Sequence, residues 1–221
     1  MNQYINVLRT NPLFGDISES ELMSMLVCLN MKERSYKKKE MIVMAGQSIN
    51  FVGVVIDGSV KIIKEDMDGN EVLLTEIGRG ELFGEVFACA GITKSPVTIQ
   101  TSEHTRILLL DYYKVISTCE KNCVFHKKLT ENMLKILADK NLILNQKIEV
   151  ISKKSLREKI MCYLVHQSKG RKRFTIPFNR EALANYLCAD RSAVSNELSK
   201  MQKDGVIRYK KNEFEITSTT R

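Results

Sequence analysis

Between Asp190 and Lys203 the sequence sets hydrogen-bonding side chains at a helical period. At about 100° per residue, Val194, Leu198 and Met201 share one face. Ser192, Ser195, Asn196, Ser199 and Lys203 share the other, with Arg191 at its N-terminal edge. The first face needs a core. The second presents a guanidinium fork, an amide with donor and acceptor side by side, and small hydroxyls. These groups match base edges in a DNA major groove: Arg pairs with guanine O6 and N7, Asn with adenine N6 and N7, and Ser reaches base or phosphate. A helix facing only solvent would more often carry Glu and Lys at such positions.

The surrounding sequence contains what is needed to hold such a helix in place. Asn179 can cap a first helix ending near Leu187, and after a tight turn Asp190 can cap the second. Gly205 to Ile216 reads as a β-hairpin turning near Lys211-Asn212, a wing that would carry Arg208, Lys210 and Lys211 to phosphates; Arg180 is assigned there too. Upstream, Ser152 and Ser155 offer caps for a helix through Leu156, Ile160 and Leu164, followed by a basic turn at 169–173 and an alternating strand from Phe174 to Phe178. Charge follows the same division. Residues 152–221 hold 16 Lys and Arg against 7 Asp and Glu, a net +9, while the remaining 18 basic and 19 acidic residues leave −1. A basic segment beside a neutral one suits a polyanionic partner.

Residues 125–151 contain neither Gly nor Pro and form one predicted helix of about 40 Å. Leu134, Asn141 and Ile148 fall at heptad position a, and Leu137, Leu144 and Ile151 at d. Branched residues interrupted by one Asn at a favour a parallel two-stranded coiled coil of fixed register, hence a homodimer. Met133, Ile136 and Ile143 lie on another face, expected to pack on the helix's own domain. Ahead of it, from about Ser35 to Asp111, short apolar runs (51–56, 60–63, 72–74, 97–101 and 107–110) alternate with Asp-Gly and Gly-containing turns. This pattern predicts an antiparallel roll of about eight strands. A capping box at Ser18 and Glu21 opens a short helix before it.

The composition excludes several classes. No apolar run approaches the roughly 20 residues of a membrane span, and the N-terminus lacks the pattern of a signal peptide, so a cytoplasmic, non-membrane protein is expected. Six cysteines stand at 28, 89, 119, 123, 162 and 188 without zinc-finger spacing; Cys119, Cys123 and His126 read as packing residues, and mostly buried, reduced thiols are expected with no metal site. No nucleophile–base pair or P-loop is present, so no enzyme activity is expected.

The order of roll, long helix and winged helix-turn-helix resembles the Crp/Fnr superfamily of bacterial transcription regulators across essentially the whole chain. The most specific match in the front half is Gly80-Glu-Leu-Phe-Gly84-Glu85, which is similar to the phosphate-binding cassette of cyclic-nucleotide-binding domains. The resemblance implies an α+β fold: an N-terminal antiparallel β-roll resembling cyclic-nucleotide-binding domains (1–124), a long dimerisation helix (125–151) and a C-terminal winged helix-turn-helix (152–221). It also implies effector contacts at Gly84, Glu85, Lys94, Ser95 and Asn141. Where nucleotide binders of the family hold the phosphate with Arg-Ser, this chain has Ser95-Pro96, and where they present Thr-Ser on the dimer helix it has Lys140-Asn141. Arg would form a bidentate clamp on phosphate, and Pro lacks an N–H donor. High-affinity control by cyclic AMP is therefore not expected.

The resemblance thus implies an effector-responsive DNA-binding regulator working as a homodimer on a palindromic operator, with RNA polymerase as a further partner. No cofactor is predicted, and the small-molecule effector is unidentified. Arg191 fits the family's Arg-Glu-x-x-x-Arg recognition pattern, but Ser192 and Asn196 replace its Glu and second Arg, so a different operator is expected. Alternatives left open are a thiol- or haem-based redox or gas sensor, with Cys89 and His104 as conceivable haem donors, and a constitutive DNA-binding regulator with a vestigial pocket.

Overall fold

The computed structural model of the chain describes residues 4–116 and 124–217. Contacts divide it into two compact units, Met1–Ala138 and Asp139–Arg221. The boundary lies inside the long helix.

The first unit opens with α1 (Ile5–Thr10), a 3-10 turn (Pro12–Phe14) and α2 (Glu19–Cys28). The expected capping box is present: the Ser18 N–H donates to Glu21 Oε2 (2.8 Å) and Glu21 N–H donates to Ser18 Oγ (3.3 Å). Eight strands follow: β1 (Lys32–Tyr36), β2 (Met41–Val43), β3 (Phe51–Asp57), β4 (Val60–Glu65), β5 (Glu71–Ile77), β6 (Leu82–Phe83), β7 (Thr98–Thr101) and β8 (Thr105–Asp111), with α3 (Glu85–Cys89) after β6 and α4 (Tyr112–Ile116) after β8. They form two antiparallel four-stranded sheets, ordered β1-β8-β3-β6 and β2-β7-β4-β5. Three strands were not among the expected runs. β1 is an edge strand whose residues are mostly exposed, so it needs no apolar alternation; β2 has three residues and β6 only two, too few to show a period.

The central strands are buried on both faces, which is why 51–56 reads as a continuous apolar run. Val52, Val54 and Ile56 of β3 join Leu108 and Leu110 of β8 in a core shared with the N-terminal helices. Val55 and Ile107 turn the other way, onto Val60 and Ile99 of the second sheet. Gly53 marks a close approach at this layer: a Cβ there would stand 2.2 Å from Cζ of Phe83, whose ring is 1% exposed. Gly53→Ala is therefore expected to cost about 1–3 kcal/mol through overpacking, read as a lowered midpoint in chemical denaturation. An unchanged midpoint would show that the ring can give way.

The long helix, α5, runs Val124–Ile151, close to its expected bounds. Its first half packs Phe125, Leu129, Met133 and Ile136 into the core of the first unit. Along the predicted seam, Leu134, Leu144 and Ile148 are 63, 59 and 57% exposed, Leu137 and Ile151 are half-buried, and Asn141 is exposed with its Oδ1 accepting from Asn145 Nδ2 (2.7 Å). Ile143 corrects one expectation. Met133 and Ile136 are buried on that face, but Ile143, two turns farther on, is 61% exposed because that core stops short of it.

In the second unit come α6 (Leu156–Ser168), β9 (Arg173–Thr175), α7 (Arg180–Leu187), α8 (Arg191–Lys203), β10 (Ile207–Lys210) and β11 (Glu213–Ile216), with β10-β11-β9 forming a small antiparallel sheet. Ser155 caps α6 in a second capping box with Glu158, whereas the Ser152 hydroxyl turns back to Ile148 O (2.6 Å) and belongs to the end of α5. Ile160 and Leu164 of α6, Leu183 and Leu187 of α7, and Val194 and Leu198 of α8 are all 0% exposed in one core.

The thiols also depart from expectation. Cys28, Cys89 and Cys162 are half-buried and Cys188 is exposed, because each sits at the rim of a core or in a turn. Cys119 and Cys123, expected above to be packing residues, lie outside the described residues.

Candidate nucleic-acid interface

Asn179 caps α7 through its side chain, Oδ1 accepting from Ala182 N–H (2.8 Å). Asp190 occupies the N-cap of α8 but makes no side-chain cap bond. Between the helices Cys188 takes a left-handed conformation, φ 52° and ψ 53°, and its N–H closes on Asn185 O (3.2 Å). Such a position favours glycine. Cys188→Gly is expected to raise the melting temperature of this unit, by about 1 kcal/mol in stability, with DNA affinity retained. A loss of stability would show that the thiol contributes packing.

The apolar stripe of α8 (Val194, Leu198, Met201) is buried, which fixes its rotation and leaves Arg191, Ser192, Asn196, Ser199 and Lys203 exposed and Ser195 half-exposed. The hydroxyls of Ser195 and Ser199 donate to the carbonyls one turn back, Arg191 O (2.9 Å) and Ser195 O (3.0 Å). In that state they present acceptor lone pairs outward. Arg157 of α6 holds the opposite side of α8, reaching Glu197 (3.6 Å) and Asp204 (2.6 Å).

The wing is the expected hairpin. Lys210 pairs across from Glu213, and Lys211, at φ 54°, makes the turn with Asn212. Arg208, Lys210 and Lys211 are exposed. Tyr209, on the other face of the strand, donates its N–H to Gln202 Oε1 (3.0 Å), joining wing to α8. Arg180 has a different environment from these lysines. Its guanidinium lies over Tyr209 (4.9 Å to the ring centroid) and Phe214 (5.5 Å), and Nη2 donates to Lys211 O (2.9 Å). Burial pulls its pKa down, the Tyr209 hydroxyl partly opposing this. Arg180 thus braces the wing turn from beneath, a role the sequence did not disclose because the aromatic partners lie about 30 residues away. Together Arg180, Arg191, Lys210 and Lys211 line an open cleft of about 770 Å³ beside the N-termini of α7 and α8. Cations and helix N-termini facing one cleft suit an anionic backbone.

Residues 33–122 match the cyclic nucleotide-binding domain family, and residues 158–221 match the Crp-like helix-turn-helix domain family. The chain belongs to the Crp/Fnr superfamily. It is 22% identical over 196 residues to the transcriptional activator protein FnrL of Cereibacter sphaeroides, covering 79% of this chain and 71% of that protein. It is 29% identical over 87 residues to the cAMP-activated global transcriptional regulator CRP of Haemophilus influenzae, 39% of each, and 25% identical over 134 residues to potassium channel KAT1 of Oryza sativa subsp. japonica, 61% of this chain and 18% of the channel. The chain thus spans less than half the length of these last two curated relatives. Among solved structures, the catabolite activator protein of Thermus thermophilus aligns over 93% of both chains at 21% identity and a TM-score of 0.55, a likeness of fold. Transcription regulators of this superfamily bind DNA and act as dimers.

The Crp/Fnr cassette residues are placed as follows. Gly84, at φ 83°, forms the N-cap of α3, where a Cβ would meet Phe51 O at 3.0 Å. Glu85 opens the helix and is buried. Ser95 is buried as well, its hydroxyl donating inward to Val97 O (2.7 Å), so it braces the Pro96 turn. Lys94 is exposed and bridges Ser48 through the backbone. Asn141 belongs to the second unit, whereas the other four belong to the first. The two conceivable haem donors have ordinary partners: His104 Nε2 lies 3.1 Å from Ser35 Oγ, and burial pushes the Cys89 thiol up, with a Tyr112 hydrogen bond opposing. A thiol with a raised pKa is a poor nucleophile at neutral pH, which disfavours Cys89 as a redox switch. Among the described residues no helix is long and apolar enough to cross a membrane.

Proposed function

We propose that this chain is a sequence-specific, effector-responsive DNA-binding transcription regulator that works in the cytoplasm as a homodimer. The observation that carries the reading is the cleft shared by α7, α8 and the wing, where Arg180, Arg191, Lys210 and Lys211 outnumber Glu181 and Glu213, beside a helix whose exposed face holds Arg191, Ser192, Ser195, Asn196 and Ser199. Arg191, Ser192, Ser195 and Asn196 read base edges; Arg208, Lys210 and Lys211 take phosphates; Arg180 positions the wing. Leu134, Leu137, Asn141, Leu144, Ile148 and Ile151 of α5 form the homodimer seam, which pairs two recognition helices on a palindromic operator at one DNA turn, about 34 Å. RNA polymerase is the further partner that membership of the superfamily suggests.

The effector is not cyclic AMP. Arg is absent at the phosphate position, where Ser95 spends its hydroxyl on Val97 and Pro96 offers no N–H. Any effector acts only through unequal affinity for two states of the protein. Selection of bound DNA from a random pool, repeated with metabolite fractions, tests the proposal. Recovery of a palindromic consensus with half-sites one turn apart is expected; no enrichment over random sequence would defeat it. Calorimetric titration with cyclic AMP at physiological salt is expected to give no heat at micromolar protein, and micromolar binding would overturn that part alone.

A further inference from the structure

In the second unit, three side chains of metal-ligating type converge outside the DNA-facing surface. Cys162 and His166 stand one turn apart on α6, so both point from the same face. Glu149 comes from the last turn of α5, held against α6 because its neighbour Val150 is fully buried in that unit's core. His166 Nε2 lies 3.1 Å from Glu149 Oε2, and Cys162 Sγ lies 3.6 Å from Glu149 Oε1. All three ligand atoms fall within 4.8 Å of one another.

These separations suit a single ion. Zinc bonds of about 2.0–2.3 Å in tetrahedral array place ligand atoms about 3.3–3.6 Å apart. The observed 3.1 and 3.6 Å, one to each Glu149 oxygen, lie near these values, and because all three ligand atoms fall within 4.8 Å, side-chain adjustments of at most about 1.5 Å bring them onto one ion. One thiol, one imidazole and one carboxylate make a borderline-soft set, which selects a divalent transition ion over magnesium or calcium. The cluster lines an open cleft of about 740 Å³, so a hydrated ion can enter and one coordination position stays open to water. Lys153 Nζ, 3.4 Å from Glu149 Oε1, is the group the ion must displace; it is a long side chain at the surface and can swing away.

We propose that Glu149, Cys162 and His166 form a binding site for a divalent transition-metal ion of the zinc type, bridging the end of α5 to α6. On binding, the Cys162 thiol loses its proton to solvent, His166 ligates as neutral imidazole, and the thiolate and Glu149 carboxylate balance the ion's two charges. The bridge would fasten α6, which in turn holds α8 through Arg157.

The test uses the full-length chain, stripped of metal and kept reduced, with Co²⁺ as the spectroscopic probe. One equivalent per chain should produce a thiolate-to-cobalt charge-transfer band and the visible bands of tetrahedral cobalt, and Zn²⁺ should abolish both. Cys162→Ser should lose the charge-transfer band, while His166→Gln and Glu149→Gln should each weaken Co²⁺ binding by more than about tenfold. Cys188→Ser, at an exposed thiol outside the cluster, should leave the spectrum unchanged. The affected positions are not deeply buried, and circular dichroism of each variant checks that it folds. Absence of a thiolate band in the parent protein, or its persistence in Cys162→Ser, would overturn the proposal.

Discussion

Leu198→Ala is expected to remove about 2–5 kcal/mol from the stability of the second unit. Leu198 is 0% exposed and lies in the core that α6, α7 and α8 share, so truncation leaves a cavity lined by side chains that three elements hold in place. A domain of this size has about 5–15 kcal/mol in total, so the variant would lose a large part of its margin and much of its population of correctly seated α8. The first unit has its own cores and should be unaffected. Thermal unfolding should show one transition shifted strongly downward and another near its original position. A shift equivalent to less than about 1 kcal/mol would mean that the helix can collapse onto the gap.

Arg191→Ala is expected to weaken operator binding by about 1–3 kcal/mol, or roughly 5–150-fold, and to relax preference at one base pair of each half-site. Lys211→Ala should behave differently, weakening binding about equally on all sequences and reducing the salt slope by about one. The contrast follows from position: Arg191 begins the exposed face of α8, and Lys211 sits at the turn of the wing. Anisotropy titrations on the selected operator and its single-base variants, at fixed salt, separate the two. If the loss for Arg191→Ala is uniform across sequences, Arg191 contacts phosphate and the base reading passes to Ser192 and Asn196.

Arg180 shows where reading by residue type runs out. An exposed Arg at the start of a helix in a basic segment reads as a phosphate contact, yet this one stacks on Tyr209 and Phe214 and serves the wing's own turn. Ser95 is similar: its position in the cassette suggests a ligand contact, but its hydroxyl faces inward. For Arg180 the deciding partners sit on strands about 30 residues farther on, while for Ser95 the partner is the carbonyl of Val97, two residues away, reached because the chain turns at Pro96.

The sequence by itself determined everything that repeats with a short period or is capped locally. The burial stripe of α8, the caps at Ser18, Ser155 and Asn179, the length of α5 and the hairpin turn at Lys211-Asn212 all follow from contacts within a few residues. Those features were enough to place the exposed polar face of α8. The tertiary structure decided which groups meet across distant segments, because such encounters depend on how whole elements pack. It set the two-sided burial of β3, the close pass of Phe83 over Gly53, the seating of Arg180 over Tyr209 and Phe214, and the meeting of Glu149 with Cys162 and His166. Cys162 and His166 carry helical ligand spacing in the sequence, but their third partner arrives only when α6 folds back against the end of α5.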